Sequence, residues 1–293
     1  MTKARTTSSR ATRTADTASL AGTLATAMSS NFAFDAAGKV VVVTGGGRGI
    51  GAGIVDAFAR QHGAKRVYSV SRSTEDTVLK PSTASGGEIV GVSADLSTPD
   101  GAAKVASTIA ARGDDLVHVL VHNSGASWGA ELESHDDEGF VKTYQLNVMG
   151  TWRLTVALLP HLMKAGTPQD PARVIVIGSI AGIRPQKYPT FSYDASKAAL
   201  HHLALKLADE FARKRALDIT VNVVAPGYIP TKMSAGLTKY GESSDDIVAS
   251  SVPLRRAGAP ADVAGAVAFL SSDAAAWITG VVLPVDGGFL AKL

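Results

Sequence analysis

Short apolar runs alternate with helix-length segments from Lys39 onward. The runs have the length and the β-branched content of buried strands; they are Val40–Thr44, Val67–Ser71, Ile89–Val92, Val117–His122, Val174–Gly178, Thr220–Ala225 and Val281–Val285. The segments between them include Ile50–Gln61, Gly101–Ala111, Gly139–Met163, Tyr193–Lys214 and Pro260–Leu270. This alternation predicts βαβ units and a parallel sheet covered by helices on both faces.

The pattern from residue 35 to residue 293 is that of one domain. This stretch shows no second compositional regime and no internal repeat, although 293 residues would also be enough for two smaller domains. We therefore predict an α/β fold, a single doubly wound Rossmann-type domain with a parallel sheet of about seven strands. Ligands of such sheets bind at the carboxyl ends of the strands, so functional motifs should directly follow strands.

The amino-acid composition limits the chemistry and the partners that can be expected, and says less about the fold. Hydrophobic residues make up 45% of the chain and charged residues 19%, which fits a sizeable core. Because the chain has no cysteine, we exclude disulfides, thiolate catalysis and cysteine-bound metals. No metal-binding residues are predicted. The net charge of +3 comes without a basic patch interleaved with aromatic residues, so no nucleic-acid partner is expected. No apolar run reaches the roughly 18 residues of a membrane-spanning helix.

Residues 1–34 differ from the rest of the chain. They are rich in Ser, Thr and Ala, and Asp16 is their one acidic residue, set against the basic residues Lys3, Arg5, Arg10 and Arg13. A basic, Ser-rich and acid-poor stretch is typical of a mitochondrial targeting segment. The alternative is a disordered tail, or an extension upstream of a second start at Met28. The expected location is cytoplasmic, or mitochondrial if this segment directs import.

The first strand leads into a glycine-rich turn and then a helix, in the sequence VVVVTGGGRGIGAGI. Gly45, Gly49 and Gly51 leave the backbone bare, and the helix that opens near Ile50 offers unpaired N–H groups and the positive end of its dipole. Such a turn can hold the pyrophosphate of a dinucleotide, whereas glycines alone can also make an ordinary tight turn. Their position between a strand and a helix favours the cofactor site.

The end of the second strand indicates which dinucleotide is bound. An NAD-binding domain usually has an acidic residue there, which accepts bonds from the ribose hydroxyls. Here Ser71 takes that place and Arg72 follows, while Arg48 lies inside the glycine turn. A guanidinium binds the 2′-phosphate that a carboxylate would repel. We therefore predict NADP(H) as the cofactor, the alternative being two solvated surface arginines.

Further cofactor contacts are predicted after later strands. Asp95, followed by Leu96, can accept from the adenine amino group or be a turn residue only. In His-Asn-Ser-Gly, Asn123 can bond either backbone or ribose, and Gly125 allows close passage of the cofactor. The stretch after the sixth predicted strand adds the cofactor-binding residues Pro226, Gly227, Ile229 and Thr231. Of these, Thr231 and the backbone of Ile229 can bind the nicotinamide carboxamide. Lys232–Ser251 is then predicted to be a mobile polar segment that closes over substrate, or an ordinary surface loop with a short helix.

Tyr193 and Lys197 are predicted to carry the chemistry. Four residues apart, they share one face of a helix, so the ammonium can favour the phenolate and bring the phenol pKa from about 10 towards working pH. The phenol can then protonate the alkoxide formed by hydride attack, and Lys197 can also bind the nicotinamide ribose. An isolated Tyr-x3-Lys pattern would more simply be a surface tyrosine beside a solvated lysine.

Two further residues place this pair in a site. Ser179 ends the strand VIVIGS, 14 residues before Tyr193, where a hydroxyl can donate to a substrate oxygen as charge develops on it. Asn147, in the segment QLNVMG, can hold a water against Lys197, or can simply be a polar residue that bends a helix. We predict Asn147, Ser179, Tyr193 and Lys197 as the catalytic residues.

These motifs together resemble the short-chain dehydrogenase/reductase superfamily over roughly residues 36–293. The resemblance rests on TGGGRGIG, HNSG, the Asn147 helix, Ser179, Tyr193-x3-Lys197, NVVAPG and a C-terminal VDGG. It implies a catalytic tetrad in which Tyr193 is the acid/base. Within the superfamily, GASWGAELES (125–134), IGSIAG (177–182) and DASKAALH (194–201) are similar to 3-oxoacyl carrier-protein reductases, in particular the NADPH-dependent β-ketoacyl reductase type of bacterial rhamnolipid synthesis.

The chain departs from the family pattern at two places. The usual Asn-Asn-Ala-Gly is His122-Asn123-Ser124-Gly125 here, so His122 is expected to weaken a structural hydrogen bond while Asn123 is kept. The 34-residue extension has no counterpart in the pattern. The resemblance also implies a homotetramer (or homodimer), with the Tyr193 helix and the C-terminal segment near the subunit contacts.

The predicted activity is reduction of a ketone or 3-oxoacyl group by NADPH, with a small-molecule carbonyl or an acyl thioester as substrate. One alternative is an NAD(P)-dependent alcohol or polyol dehydrogenase of the same fold, against which Arg72 argues. Another is a non-catalytic cofactor-binding sensor, which would not need a phenol–ammonium pair. An acidic carrier protein would require a basic rim; the residues that can supply one, or be plain surface charges, are Lys187, Lys232, Lys239, Arg255 and Arg256.

Overall fold

The computed structural model describes residues 35–74, 76, 78–79, 87–241 and 243–291. The chain divides into two units, Met1–Ala33 and Phe34–Leu293, and every described residue belongs to the second. The predictions made for residues 1–34, a targeting segment or a disordered tail, lie outside the described residues.

An eight-stranded sheet forms the centre of the described domain. Its strands are β1 Val40–Thr44, β2 Arg66–Ser71, β3 Val78–Leu79, β4 Glu88–Ser93, β5 Val119–His122, β6 Ala172–Ile177, β7 Ile219–Pro226 and β8 Val282–Val285. They are ordered β3-β4-β2-β1-β5-β6-β7-β8. Seven strands pair in parallel, and β3 pairs antiparallel with β4 at one edge. The predicted Rossmann-type fold is confirmed; β3 was not predicted, because two residues carry no periodic pattern.

Helices cover both faces of this sheet. They are α1 Gly49–Asp56, α2 Pro99–Ala111, α3 Asp137–Tyr144, α4 Thr151–Ala165, α5 Phe191–Asp209, α6 Ser244–Ser251 and α7 Pro260–Leu270. Single π-helical turns extend α1, α3 and α5; they are Ala57–Gln61, Gln145–Gly150 and Glu210–Lys214. Short 3₁₀ turns lie at Leu132–Ser134, Ile180–Gly182, Ser234–Tyr240, Asp273–Ala275 and Phe289–Ala291. The five predicted helical segments are confirmed, and the predicted Gly139–Met163 is α3, a π turn and α4 in succession.

The side chains of β1 explain why the strands appear in the sequence as continuous apolar runs. Val40 and Val42 pack into a cluster with apolar residues of α2, α4 and α5, whereas Val41 and Val43 pack into a second cluster with α1 and α7. Both faces of the sheet are therefore buried, and no polar alternation is left. The strand order reverses between β1 and β5, which opens a crevice at the carboxyl ends of these strands.

None of the helices in the described part of the chain combines the length and the apolar character that crossing a membrane requires.

Candidate active site

The turn between β1 and α1 presents bare backbone at the crevice. Gly45 and Gly49 have φ angles of +65° and +56°, in the left-handed region that favours glycine. A Cβ atom at Gly51 would lie 2.1 Å from the carbonyl oxygen of Gly45, so a side chain at this position has no room. The turn thus leaves the first N–H groups of α1 uncovered, and this cradle fits a dinucleotide pyrophosphate.

Asn123 holds this turn against the end of β5. Its side-chain amide donates to the carbonyl oxygens of Thr44 (2.9 Å) and Gly45 (3.2 Å). The Thr44 hydroxyl oxygen in turn accepts the N–H groups of Asn123 and Ser124, both at 2.9 Å. Both amide hydrogens of Asn123 are therefore donated to backbone, which is the first of the two alternatives that the sequence left open.

The two arginines predicted to select the cofactor are exposed beside the same turn. A Cβ atom at Gly47 would lie 3.4 Å from the Ser71 hydroxyl and 3.3 Å from the Thr74 hydroxyl, so the end of β2 adjoins the residue before Arg48. The Ser71 hydroxyl also accepts the N–H of Thr74 (3.1 Å). The side chains of Arg48 and Arg72 remain exposed to solvent, where a phosphate can reach them.

Asp95 follows β4 and is half-buried. Burial favours its neutral form, but bonds from the hydroxyl (2.7 Å) and the N–H (3.0 Å) of Ser97, together with the nearby Arg72 charge, outweigh burial and lower the pKa of Asp95. The carboxylate therefore stays ionised as an acceptor. The side chain of Leu96 instead packs into the core, so cofactor contact at this predicted position is limited to its backbone.

The segment after β7 reaches the glycine turn from the other side. Pro226 ends β7, and the N–H of Gly227 donates to Val285 on β8 (3.0 Å). Ile229 is buried, whereas the side-chain methyl carbon of Thr231 lies 3.5 Å from where a Cβ atom of Gly49 would be. The tertiary structure thus brings the predicted nicotinamide-binding segment and the predicted pyrophosphate-binding turn together.

Lys197 lies on α5, and its ammonium lies between the main chain of β6 and the Tyr193 ring. Its Nζ donates to the carbonyl oxygen of Ile177 (2.9 Å) and lies 5.8 Å from the centroid of the Tyr193 ring. The residue is only 4% exposed, and burial lowers the pKa of Lys197 to about 8. The predicted pairing of phenol and ammonium on one helix face is present in the structure.

The side chain of Tyr193 on α5 interacts with that of Ser179, which follows β6. Burial raises the pKa of Tyr193 and the charge of Asp194 adds to this effect, whereas the side-chain hydrogen bond with Ser179 lowers it. The net direction is upward, so the expectation that Lys197 brings this pKa towards neutrality is wrong for the ligand-free chain. The reason is that removal of the phenolate from water outweighs the remaining interactions. At neutral pH the phenol keeps its proton.

Asn147 lies in the π turn between α3 and α4 and is fully buried. Its amide donates to the Ala126 carbonyl (3.0 Å) and the Ser196 hydroxyl (2.9 Å), and its oxygen accepts the Ala126 N–H (2.8 Å). A Cβ atom on Gly125 would lie 3.3 Å from that oxygen and 3.7 Å from Nζ of Lys197. The predicted role, holding a water against Lys197, is left to the oxygen, since both amide hydrogens are donated to protein.

His122 forms a good hydrogen bond, contrary to expectation. Its Nε2 lies 2.8 Å from the hydroxyl of Thr155 on α4. Because that hydroxyl donates its hydrogen to the Thr151 carbonyl (2.8 Å), Nε2 of His122 is the donor. The ring is fully enclosed, and burial lowers the pKa of His122 to about 3. The histidine at this position of the family motif therefore makes a buried polar contact of its own.

The predicted closing segment Lys232–Ser251 folds as the 3₁₀ turn Ser234–Tyr240 followed by α6. The Tyr240 hydroxyl lies 2.5 Å from where a Cβ atom of Gly129 would be, and the rings of Tyr188 and Tyr240 are 6.1 Å apart between centroids. The segment thus contacts the loops that precede α3 and α5, on the side of the crevice that holds Tyr193.

Sequence reasoning missed one buried residue next to the catalytic set. His201 lies one helical turn beyond Lys197, and its Nε2 accepts the main-chain N–H of Ser179 (3.3 Å). The signal was available, because Tyr193, Lys197 and His201 follow one another at four-residue intervals and so share a helix face.

The fold and this constellation define a dinucleotide-binding oxidoreductase of the Ser–Tyr–Lys type. A family sequence model described as enoyl-(acyl carrier protein) reductase matches residues 45–290. The chain belongs to the short-chain dehydrogenase/reductase superfamily, which confirms the resemblance drawn from the motifs.

Several relatives extend this assignment. The chain is 39% identical over 259 residues to the rhamnolipids biosynthesis 3-oxoacyl-[acyl-carrier-protein] reductase of Pseudomonas aeruginosa, covering 87% of this chain and 98% of the relative. It is 33% identical over 251 residues to the 3-oxoacyl-[acyl-carrier-protein] reductase FabG of Escherichia coli, covering 86% and 97%. Among solved structures, the Pseudomonas aeruginosa RhlG/NADP active-site complex matches with a TM-score of 0.76 at 35% identity, covering 87% of this chain and 98% of that one.

Proposed function

We propose that this enzyme reduces a ketone or a 3-oxoacyl group to the secondary alcohol with NADPH. The observation that carries the proposal is the grouping of Ser179, Tyr193 and the buried ammonium of Lys197, whose Nζ lies 5.8 Å from the centroid of the Tyr193 ring. The similarity to 3-oxoacyl reductases and to an NADP complex supports both the reaction and the cofactor. The residues proposed to hold NADPH are those of the glycine cradle, Arg48, Arg72, Asp95, Lys197 and the segment 226–231.

Each side chain has one task in the reaction. The chemistry that NADPH supplies when bound is hydride transfer to the carbonyl carbon. Ser179 donates a hydrogen bond to the carbonyl oxygen as negative charge develops there. Tyr193 then transfers its phenolic proton to the alkoxide, which completes the alcohol. The ammonium of Lys197 stabilises the phenolate that remains until a solvent proton restores it.

The protonation state of Tyr193 fits reduction, which needs a protonated phenol before each turnover, since burial raises the pKa of this residue. The same residue would act as the base in the reverse reaction. The case against the rival dehydrogenase activity therefore rests on Arg72 and on the nucleotide that it selects. A non-catalytic cofactor-binding protein would have no need of a buried ammonium beside a phenol, and burying a charge is energetically unfavourable.

Replacing Arg72 with glutamate is expected to lower kcat/KM for NADPH by about a hundredfold while leaving kcat/KM for NADH unchanged or higher. The reason is that a carboxylate beside Ser71 repels the 2′-phosphate and accepts from the ribose hydroxyls. Steady-state kinetics with both nucleotides measure the effect. Arg213→Glu is the matched control, since its side chain is 84% exposed near the far end of α5. Equal use of both nucleotides by the parent enzyme would contradict the assignment.

The substrate class is tested with a panel of carbonyl compounds and NADPH oxidation as the readout. We expect turnover of small ketones and of an acetoacetyl thioester, and none of a crotonyl thioester, whose reduced bond is C=C. Acetoacetyl groups on a carrier protein and on a short carrier-free thiol should differ by less than about tenfold in kcat/KM. Arg256, one of the residues predicted to supply a basic rim, is already paired with Asp262 through its two terminal guanidinium nitrogens (2.7 and 2.9 Å). A panel without any reduced ketone would refute the proposed function.

The proposed assembly is a homotetramer or homodimer. Trp152, Val156 and Met163 are exposed along one side of α4, and Trp277 is fully exposed before β8. Exposed apolar faces of this kind usually mark subunit contacts. Sedimentation velocity tests the proposal, and a monomer at micromolar concentration would contradict it.

A further inference from the structure

The buried imidazole of His201 contacts the backbone of Ser179. His201 is 6% exposed and lies on α5, one turn after Lys197. Its Nε2 accepts the main-chain N–H of Ser179 at 3.3 Å. At the preceding residue, the N–H of Gly178 still donates to Val224 of β7 (2.8 Å) in the regular strand pairing. Ser179 is thus the first residue beyond the sheet ladder, and a side chain from α5 takes over as its acceptor.

The glycines on both sides of Ser179 make room for this ring. A Cβ atom at Gly178 would lie 2.0 Å from Nε2 of His201, and one at Gly182 would lie 2.8 Å from its Cε1. Real side chains do not tolerate such separations, so the turn 178–182 and the imidazole fit together only because these positions are glycine. Two motifs far apart in sequence, IGSIAG and DASKAALH, therefore meet at this contact.

The bond to Ser179 requires a neutral ring. A protonated imidazole has a hydrogen on each nitrogen and cannot accept the N–H of Ser179. Burial lowers the pKa of His201 to about 4, and the nearby charge of Lys197 acts in the same direction. The ring is therefore neutral at physiological pH, and its bond from the Ser179 N–H assigns the hydrogen-free nitrogen as Nε2.

The same turn also orients the Ser179 hydroxyl. The oxygen of this hydroxyl accepts the N–H of Ala181 (3.1 Å), so its own hydrogen points away from the turn. The same hydroxyl takes part in the side-chain interaction with Tyr193. A small rotation of the Ser179 backbone would carry the hydroxyl away from the position where it meets a substrate oxygen, and donor geometry matters at the level of fractions of an ångström.

We propose that His201 is a positioning residue for the reaction: its imidazole fixes the main chain of Ser179 and thereby the direction in which the Ser179 hydroxyl donates. The proposal rests on the proposed function, in which Ser179 donates to the carbonyl oxygen. His201 touches neither substrate nor cofactor in this scheme and acts through Ser179 alone.

The first test compares side chains with and without an acceptor at this position. His201→Leu removes the acceptor and is expected to lower kcat about tenfold, with KM changed less than about twofold. His201→Gln can present an oxygen to the Ser179 N–H and is expected to stay within about threefold of the parent kcat. His202→Leu is the matched control, because the neighbouring His202 is exposed. NADPH binding, measured by its fluorescence, confirms that each variant is folded.

The second test asks whether His201 acts through Ser179. In a double-mutant cycle, Ser179→Ala alone is expected to lower kcat about a hundredfold, and adding His201→Leu should lower it less than about twofold further. The proposal would be overturned if the reductions of kcat in the two single variants multiplied in the double variant. It would also be overturned if kcat were unchanged in His201→Leu, or if His201→Gln were no better than His201→Leu. A Ser179→Ala variant with parental kcat would instead refute the proposed role of Ser179. If His201→Leu does not fold, His201→Met takes its place in both comparisons, since it matches glutamine in length and lacks the strong acceptor.

Discussion

Replacing Tyr193 with phenylalanine is expected to lower kcat for ketone reduction by about a thousandfold, while the Kd for NADPH stays within about threefold of the parent value. The variant keeps the ring, and so the packing around it, and loses the proton that the alkoxide must receive. Because burial raises the pKa of Tyr193, this proton is present across the neutral range in the parent enzyme. The measurements are single-turnover NADPH oxidation and NADPH fluorescence titration.

The control for this substitution is Tyr144→Phe, the same chemical change at a half-buried tyrosine at the end of α3. It should leave kcat within about twofold of the parent. Undiminished turnover in Tyr193→Phe would sink the mechanism, whereas loss of both turnover and NADPH binding would point to a damaged fold. Turnover lost with NADPH still bound also rules out the non-catalytic alternative, since a pure binder has no rate to lose.

Replacing Lys197 with methionine is expected to lower kcat by a similar factor, about a thousandfold. Methionine has nearly the same length and leaves no ammonium to stabilise the phenolate of Tyr193. NADPH binding should also weaken, since Lys197 is proposed to bind the nicotinamide ribose, and this separates the variant from Tyr193→Phe. A Lys197→Met enzyme with parental kcat would show that the ammonium has no part in proton transfer.

The Lys197→Met variant also shows how much the burial of the Lys197 charge lowers the free energy of unfolding. The pKa of Lys197 is about 8 in the folded chain and 10.5 in the reference state, so between these values the unfolded chain binds more protons. Stability therefore rises with pH through this window in the parent and not in Lys197→Met. From about pH 7.5 to about pH 9.5, the parent should gain about 2 kcal/mol of unfolding free energy relative to the variant. Urea denaturation of both proteins at the two pH values gives this difference, and parallel pH profiles would contradict it.

Local sequence patterns were sufficient for the elements and for part of the site. Runs of β-branched residues predicted the strands because both faces of a parallel sheet are buried, which leaves no polar alternation to confuse the pattern. The four-residue spacing of Tyr193 and Lys197 predicted their contact because a helix places such residues on one face. The glycine spacing predicted the turn at 45–51 because a positive φ and close backbone approach exclude other residues.

Contacts between distant segments were beyond such patterns. The sequence left Asn123 open between backbone and ribose, and only the structure shows that its amide hydrogens are donated to the Thr44–Gly45 turn. Asn147 was predicted to hold a water, yet its amide hydrogens are donated to Ala126 and Ser196. The sign of the Tyr193 pKa shift was wrong for the same reason, since burial is a property of packing around the residue. The strand β3 has no pattern of its own and exists through its pairing with β4.

The class of fold, the cradle for a dinucleotide and the pairing of a phenol with an ammonium were predictable from local sequence, because each depends on patterns and spacings along the chain. Only the three-dimensional packing shows how Ser179, just after β6, comes close to Tyr193 on α5, which amides hold the loops, and that His201 accepts the Ser179 N–H. These contacts join residues from separate elements, so they depend on strand order, burial and side-chain packing, and local periodicity does not encode these.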